Sequence, residues 1–153
     1  MNEPKTTDTL TNVLLGTSPE SAGKVLQDEA ASMFTSDRPF SVFLRERLKD
    51  KGLRQQDLFV AADIPERYGY KLISGEKHTV KRDVILRLLF AAALRLDDAQ
   101  RALKLYGFSP LYARIPRDAV LMIAFNSGIR EIERVNELLE EHGMAPLESC
   151  GEE

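Results

Sequence analysis

The residue types that build disulfides, metal centres and many cofactor sites are scarce in this sequence of 153 residues. It has one cysteine, two histidines and no tryptophan. One cysteine forms no disulfide within the chain, and neither histidine stands at the spacing of a zinc site. Acidic residues beside Cys150 disfavour a reactive thiolate, so we expect an incidental exposed thiol. No metal and no cofactor is predicted.

Long apolar runs and enzyme motifs are absent as well. The longest apolar stretch, around Val84 to Leu96, is interrupted by Arg87 and Arg95 and is shorter than the roughly 20 residues of a membrane span. The first residues lack the pattern of a secretory signal. No Walker loop, GxGxxG, GxSxG or HExxH is present. We therefore expect a cytoplasmic protein that is not an enzyme, has no catalytic residues and does not bind a membrane.

Charge is distributed unevenly along the chain. The net charge is −3, yet residues 1–37 carry −4, residues 38–87 carry +5 and residues 88–153 carry −4. A basic central segment between acidic flanks is typical of a local anion-binding face, and an acidic protein can have one. A solvated surface without a ligand is equally compatible with this charge pattern.

Helix start and stop signals dominate, and strand signals are nearly missing, so the sequence predicts an all-α fold. Pro39 and Gly52 delimit a helix that starts at residues 37–39, and Asp63 suits a tight left-handed turn between two short helices. Two helices joined this closely form a helix-turn-helix. The predicted helices lie at about residues 8–15 and 19–33, from 37–39 to Gly52, within LRQQDLFVAAD (53–63), at 65–74, and at about 83–93, 97–106, 117–127 and 131–142.

The second half of the chain contains an internal repeat. RDVILRLLFAAALRLDDAQRALKLYGFSPL begins at Arg82, and RDAVLMIAFNSGIREIERVNELLEEHGMAPL begins at Arg117. Each copy reads as a helical hairpin, and we expect the second hairpin to pack on the first. Chance similarity of two amphipathic hairpins is the alternative. The residues predicted to be buried in the second hairpin are Val120, Leu121, Ile123, Ala124, Val135, Leu138 and Leu139.

The stretch KGLRQQDLFVAADIPERYGYKLISGEKHTVKRDVILRL resembles the lambda-repressor/Cro-like family of helix-turn-helix regulators, often called the XRE family. The resemblance is closest to a bacterial subgroup with a C-terminal helical extension, through Tyr68-Gly69-Tyr70, Lys81-Arg82-Asp83, the segment LYARIPRDA from residue 111, and NELL from residue 136. Together with the helix signals, the resemblance predicts an N-terminal arm with one or two helices at 1–37, a helix-turn-helix domain at 38–106, a C-terminal hairpin at 107–147 and an acidic tail at 148–153.

The resemblance also implies a function and a set of contacts. The second short helix, 65–74, would enter the major groove of double-stranded DNA while the preceding helix lies on the backbone. Arg67 is suited to guanine and Glu66 to cytosine, whereas the other side chains suit phosphates. The implied DNA-binding residues are Gln55, Glu66, Arg67, Tyr70, Lys71, Lys77, His78, Lys81 and Arg82.

This motif has two departures from the family pattern, Arg54 and Pro65 with Glu66, and one residue that is unusual inside a helix, Gly69. Arg54 stands where Ser or Thr usually caps the bracing helix, and Glu66 repels phosphate. Gly69 lies inside the reading helix, where glycine costs about 1 kcal/mol relative to alanine. We interpret Gly69 as a packing device that lets the two helices approach, so Gly69→Ile is expected to disturb the fold. Tyr68 is predicted to lie in the core.

Two functions remain open from the sequence. The first is a dimeric, sequence-specific transcriptional regulator, because one short reading helix gives little affinity for a single half-site. The second is a protein-interaction adaptor that keeps the scaffold without reading DNA. The N-terminal helix and the C-terminal hairpin are the candidate surfaces for a second copy or another protein. Arg117 and Asp118 are interpreted as satisfying a helix N-terminus, with contact to another chain as the alternative.

Overall fold

The computed structural model describes residues 4–33 and 38–151, and within these ranges every regular secondary-structure element is a helix. This confirms the predicted all-α class. No helix in the described ranges has the length and apolar character needed to cross a membrane. The α-helices are α1 (Thr7–Leu15), α2 (Ala22–Asp28), α3 (Pro39–Lys51), α4 (Gln55–Ala62), α5 (Glu66–Ser74), α6 (Arg82–Ala91), α7 (Leu96–Tyr106), α8 (Pro116–Asn126) and α9 (Ile132–Glu141).

The chain divides into two compact units, Met1–Asp37 and Arg38–Glu153. In the first unit, the Thr6 hydroxyl accepts a hydrogen bond from the Thr9 N–H and so begins α1. Lys5 binds Glu29 at 2.6 Å. The further boundaries expected at 106/107 and 147/148 stay predictions.

The single helix predicted for residues 19–33 is wrong. The chain forms a 3₁₀ turn at Pro19–Ser21, the short helix α2, and a second 3₁₀ turn at Ala30–Ser32. No residue of these elements is buried. Helices of this length depend on packing of an apolar face, and a stretch with little packing does not sustain one continuous helix.

In the second unit, α3 and α4 pack on the first hairpin, α6–α7, and α5 packs on α3 and α4. The inward face of α3 buries Phe40, Phe43, Leu44 and Leu48, and the helix ends at Gly52 in the left-handed region, with φ 68°. The predicted start at Asp37 lies outside the described residues. Helix α3 contacts α5 and α7, while α4 contacts α5 and α6. Helix α5 is therefore held by two helices that rest on the hairpin.

The two hairpins, α6–α7 and α8–α9, bind each other through reciprocal ion pairs. Arg82 donates two hydrogen bonds to Asp118, and Arg117 donates two to Asp83, at 3.0 and 2.9 Å. Each Arg-Asp dipeptide of one copy thus pairs with the Arg-Asp dipeptide of the other. Asp118 is not a side-chain cap of α8, because no side chain caps that helix. Asp118 still lies in the first turn of α8, where a negative charge is favoured, and its carboxylate also joins the two hairpins.

Equivalent contacts continue along both copies. The Phe90 and Phe125 rings stack with centroids 3.7 Å apart. The Tyr112 N–H donates to Asp118, and the Glu148 N–H donates to Asp83, so the segment after each hairpin binds the acid of the other. The repeat in the sequence therefore corresponds to an approximately two-fold arrangement of the hairpins.

Burial in the second hairpin follows the prediction only in part. Leu121, Ala124, Val135 and Leu139 are buried, and Val120 and Leu138 are half-buried. Ile123 is 60% exposed, so its predicted burial is wrong. The amphipathic pattern identified an apolar helix but not which of its sides is covered. Cys150 is also buried, at 8% exposure, and is not the exposed thiol expected.

Candidate nucleic-acid interface

The turn between α4 and α5 fixes the direction in which α5 leaves the core. Asp63 adopts φ 55° and ψ 51°, the left-handed geometry predicted for it. The Ile64 N–H then donates to the Phe59 carbonyl at 3.0 Å, which closes the end of α4. Pro65 precedes the first residue of α5 with a fixed φ of −54°. Three consecutive residues therefore impose one geometry on the turn.

Gly69 lies on the side of α5 that faces α4. A Cβ at this position would overlap the Phe59 ring, at distances below the 3.0 Å that real Cβ contacts keep. Phe59 is 1% exposed, so its ring cannot move aside into solvent. The interpretation of Gly69 as a packing device is confirmed. The Tyr70 ring contacts the Phe59 ring in a T-shaped arrangement, with ring centroids 4.9 Å apart and an angle of 81° between the ring planes.

The opposite side of α5 carries the predicted contact residues. Glu66, Arg67 and Tyr70 are exposed, and Lys71 is half-buried. Tyr68 is 7% exposed and belongs to the core, as predicted. Helix α5 therefore separates a packing face of Tyr68, Gly69, Leu72 and Ile73 from a polar outer face.

A small cavity of about 170 Å³ opens beside α5. It is lined by Arg67, Tyr68, Lys71 and Lys77. Three cationic side chains thus surround one concave site next to an aromatic ring. A phosphate oxygen or the acceptor edge of a guanine carries the charge and hydrogen-bonding character that such a site attracts.

The loop after α5 rests on the end of α7. The His78 ring stacks on the Tyr106 ring, with centroids 4.4 Å apart and an angle of 13°. The Thr79 N–H donates to the Tyr106 hydroxyl at 2.7 Å. Burial raises the pKa of Tyr106, although this hydrogen bond acts in the opposite direction. His78 is exposed in this stacked position, and Lys77 beside it is exposed as well.

Lys81 and Arg82, the last two of the predicted basic residues, differ in how far their side chains are free to contact a ligand. Lys81 is exposed and lies 4.0 Å from Glu148, at the limit of an ion pair. Arg82 has a side chain only 26% exposed, and both terminal nitrogens donate to Asp118. The structure therefore groups Glu66, Arg67, Tyr70, Lys71 and Lys77 around α5 and engages Arg82 in the contact between hairpins.

Near the start of α4, Arg54 provides no helix cap. It forms two 3.0 Å hydrogen bonds with Asp57. This contact lowers the pKa of Asp57 and raises that of Arg54. Gln55 is half-buried, and its Oε1 is buried without a hydrogen-bond partner in the described part of the chain. Gln55 is the first residue of α4, the position where the resemblance implies a phosphate contact.

One residue at this surface was missed by the sequence reasoning. Arg38 donates a 2.7 Å hydrogen bond to the Ser74 carbonyl at the end of α5, and its side chain lies against Gly75. Cations are favoured at helix C-termini. Its position as the first residue of the basic segment was the available signal, but the contact across 36 residues is not visible in the sequence.

Comparison with known proteins gives no family assignment. No family model, no curated protein and no solved structure matches this chain.

Proposed function

We propose that this chain is a sequence-specific DNA-binding transcriptional regulator of the lambda-repressor-like type, acting in the cytoplasm as a homodimer, with α5 as the helix that reads the major groove. The observation that carries the proposal is the two-sided character of α5. Its packing face approaches α4 closely through Gly69, and its outer face presents Arg67 beside Lys71 and Lys77.

The charge arrangement supports this assignment of roles. Arg67 can form two hydrogen bonds with the O6 and N7 atoms of guanine, the most common specific contact in the major groove. Lys71, Lys77 and Lys81 follow α5 and its loop, where the phosphates of the flanking backbone would lie. Glu66 is suited to the amino group of cytosine. In this assignment Arg82 is a structural residue because Asp118 already holds it.

Replacement of Arg67 tests the reading role. Arg67→Ala should weaken binding to the preferred duplex by about 1–3 kcal/mol, because a bidentate contact to a base is lost. Binding to random duplex should change much less. Fluorescence anisotropy with labelled duplexes measures both affinities. The matched control is Arg134→Ala, which removes an exposed arginine from α9 and should leave both unchanged.

Equal losses on preferred and random DNA would contradict base reading by Arg67. Salt dependence provides a second criterion. If three lysines in each of two copies meet phosphates, the logarithm of the binding constant should fall against the logarithm of salt concentration with a slope of about −5. An intact protein that shows no salt-dependent DNA binding refutes the proposed function.

A second candidate function is a protein-interaction adaptor on the same scaffold. Two observations favour it: Glu66 is exposed at the start of α5, and Arg82 is withdrawn into an ion pair. Both weaken the attraction to phosphate. Recovery of one stoichiometric protein partner from cells, with no nucleic acid in the eluate, would favour the adaptor over the regulator.

A further inference from the structure

Arg87 is a buried cation on α6 that the hairpin itself does not require. It is 6% exposed, and each of its three guanidinium nitrogens donates to a backbone carbonyl. Burial of a charge is costly unless hydrogen bonds compensate for it. The equivalent position of the second copy is Met122, an apolar residue on the same kind of hairpin. The arginine is therefore explained by the carbonyls that it binds.

One of these carbonyls lies at the end of α4. Ala62 is the last residue of that helix, and Asp63 after it takes the left-handed geometry of the turn. The carbonyl oxygens of the last helical turn have no partner within the helix, and a cation is favoured there. Arg87 donates to the Ala62 carbonyl at 3.2 Å. It thus binds the peptide group that joins α4 to the turn from which α5 leaves.

The other two carbonyls belong to Leu147 and Glu148, in the segment that follows α9. Arg87 donates to both at 2.8 Å. The Leu147 N–H donates to Asn136 at 2.8 Å, and the Glu148 N–H donates to Asp83 at 3.0 Å. The N–H and the carbonyl of two consecutive residues are therefore all hydrogen-bonded, which anchors the segment and the guanidinium that reaches α4.

Close packing does not provide this connection. A groove of about 660 Å³ is lined by Ala61 and Asp63 from the end of α4, by Ile132 and Asn136 from α9, and by Arg87. The main packing contacts of α4 are with α5 and α6. The end of α4 is thus connected to the C-terminal segment through the hydrogen bonds of Arg87.

We propose that Arg87 is a positioning residue for α5. Anchored by Leu147 and Glu148, it holds the peptide group after Ala62 and so fixes the turn that sets the direction of α5. The inference rests on the proposed function for its consequence on DNA, because binding side chains have to be held within about 0.5 Å of the productive geometry. The turn itself can be measured without DNA.

Hydrogen exchange of single amides in the full chain, followed by NMR spectroscopy, tests the turn. The Ile64 N–H donates to the Phe59 carbonyl at the end of α4, and the Ile129 N–H donates to the Ala124 carbonyl at the end of α8. Arg87→Met removes all three hydrogen bonds and introduces the residue of the second copy. It should raise the exchange rate of Ile64 relative to Ile129 by about 10-fold or more, whereas global unfolding raises both rates alike.

Asn136→Ala and Gln100→Ala form a matched pair, which decides the question if Arg87→Met does not fold. Asn136 binds the backbone of Leu147, whereas Gln100 binds the backbone of Leu111, after the first hairpin. Asn136→Ala should raise the exchange ratio by about 3-fold, because it loosens the segment that anchors Arg87. Gln100→Ala should leave the ratio unchanged, although it removes more hydrogen bonds. A ratio that Asn136→Ala does not raise, or that Gln100→Ala raises equally, overturns the inference.

Fluorescence anisotropy measures the consequence for DNA reading. Arg87→Met should lower the ratio of the affinities for preferred and random duplex by about 2-fold to 30-fold, the range of coupling through residues that do not touch the ligand. A folded variant that keeps the wild-type exchange ratio and the wild-type affinity ratio overturns the inference. A wild-type chain that binds no DNA refutes the proposed function alone, because the exchange ratios still show whether Arg87 holds the turn.

Discussion

The two hairpins of the second unit share a sequence pattern but differ in their surroundings. In α6–α7 every residue from Val84 to Ala92 is buried, including Arg87. In α8–α9 the equivalent first helix alternates between buried and exposed positions. Helix α4 covers α6, whereas the described part of the chain has no comparable main contact on the outer face of α8. The same amphipathic pattern thus serves as a central core element in one copy and as a surface element in the other.

Arg87 illustrates how far α6 is integrated into its surroundings. Its guanidinium donates to the Ala62 carbonyl at the end of α4 and to the carbonyls of Leu147 and Glu148. The equivalent position of α8 is Met122, which is half-buried. The first hairpin therefore has a buried arginine that connects the C-terminal segment to the end of α4. The second hairpin has no arginine at the equivalent position. Through the Arg87 contacts the segment that follows the second hairpin is connected to the end of α4, next to α5.

Leu88 and Ile123 correspond to each other in the repeat. We expect their replacement to show the largest difference between the copies in the free energy of unfolding. Leu88→Ala should destabilise the fold by about 2–5 kcal/mol, because it leaves a cavity at a fully buried position. Ile123→Ala should change the stability of the monomer by less than about 0.5 kcal/mol. Urea unfolding at low micromolar concentration measures both values. Similar costs at the two sites would mean that the outer face of α8 is covered after all.

The two acids of the reciprocal ion pairs, Asp118 and Asp83, should differ less in the stability lost when each is replaced. Asp118→Ala should cost about 3 kcal/mol, because Arg82 and the Tyr112 N–H lose a partner whose side chain is 1% exposed. Asp83→Ala should cost less, about 2 kcal/mol, since Arg117 keeps its bonds to two backbone carbonyls. Denaturant unfolding compares the two variants. A larger loss at Asp83 would contradict this order.

Acid should act on the same contact through Asp83. Burial alone would raise the pKa of Asp83, but the hydrogen bonds from Arg117 and Glu148 and the nearby arginine charges lower it below the ordinary value. A lowered pKa contributes stability above the unfolded pKa of about 3.9 and loses it as the pH falls through the folded value. Asp83→Asn should therefore remove part of the acid sensitivity below about pH 4. A stability profile unchanged from the wild type contradicts this contribution.

The smallest difference in stability is expected for two side-chain amides, Gln100 and Asn136, each of which binds the backbone of the segment that follows its hairpin. Gln100 exchanges two hydrogen bonds with the backbone of Leu111, whereas Asn136 accepts one from the Leu147 N–H. At about 1 kcal/mol for each bond, Gln100→Ala should cost about 2 kcal/mol and Asn136→Ala about 1 kcal/mol. Thermal unfolding followed by circular dichroism measures the difference, and an equal loss at both positions argues against it.

The sequence was most informative where local chemistry determines the structure. Asp63 and Gly69 were interpreted correctly because a left-handed turn and a close helix contact each demand a particular residue type. The longer helices of the second unit were predicted to within about two residues because caps and periodicity are local signals. The break at α2 was missed, since propensity alone does not say whether packing will support a helix.

Contacts between distant segments were not predictable. Arg82 was interpreted as one more cation of a basic loop, because its partner, Asp118, is 36 residues away in the sequence. Arg38 was overlooked for the same reason. Periodicity showed that α8 is amphipathic, but the exposure of Ile123 depends on which helices reach it. Of the predicted outer residues of α5, Glu66, Arg67 and Tyr70 are exposed and Lys71 is half-buried. Their role on DNA stays a prediction.

Selection of bound duplexes from a random oligonucleotide pool, carried out in parallel with the wild-type chain and Arg67→Ala, tests the central claim most directly. The account predicts that the wild type enriches a two-fold symmetric site with a guanine in each half, and that the variant loses the preference at that guanine while other positions persist. A wild-type selection without any enriched sequence would contradict the account.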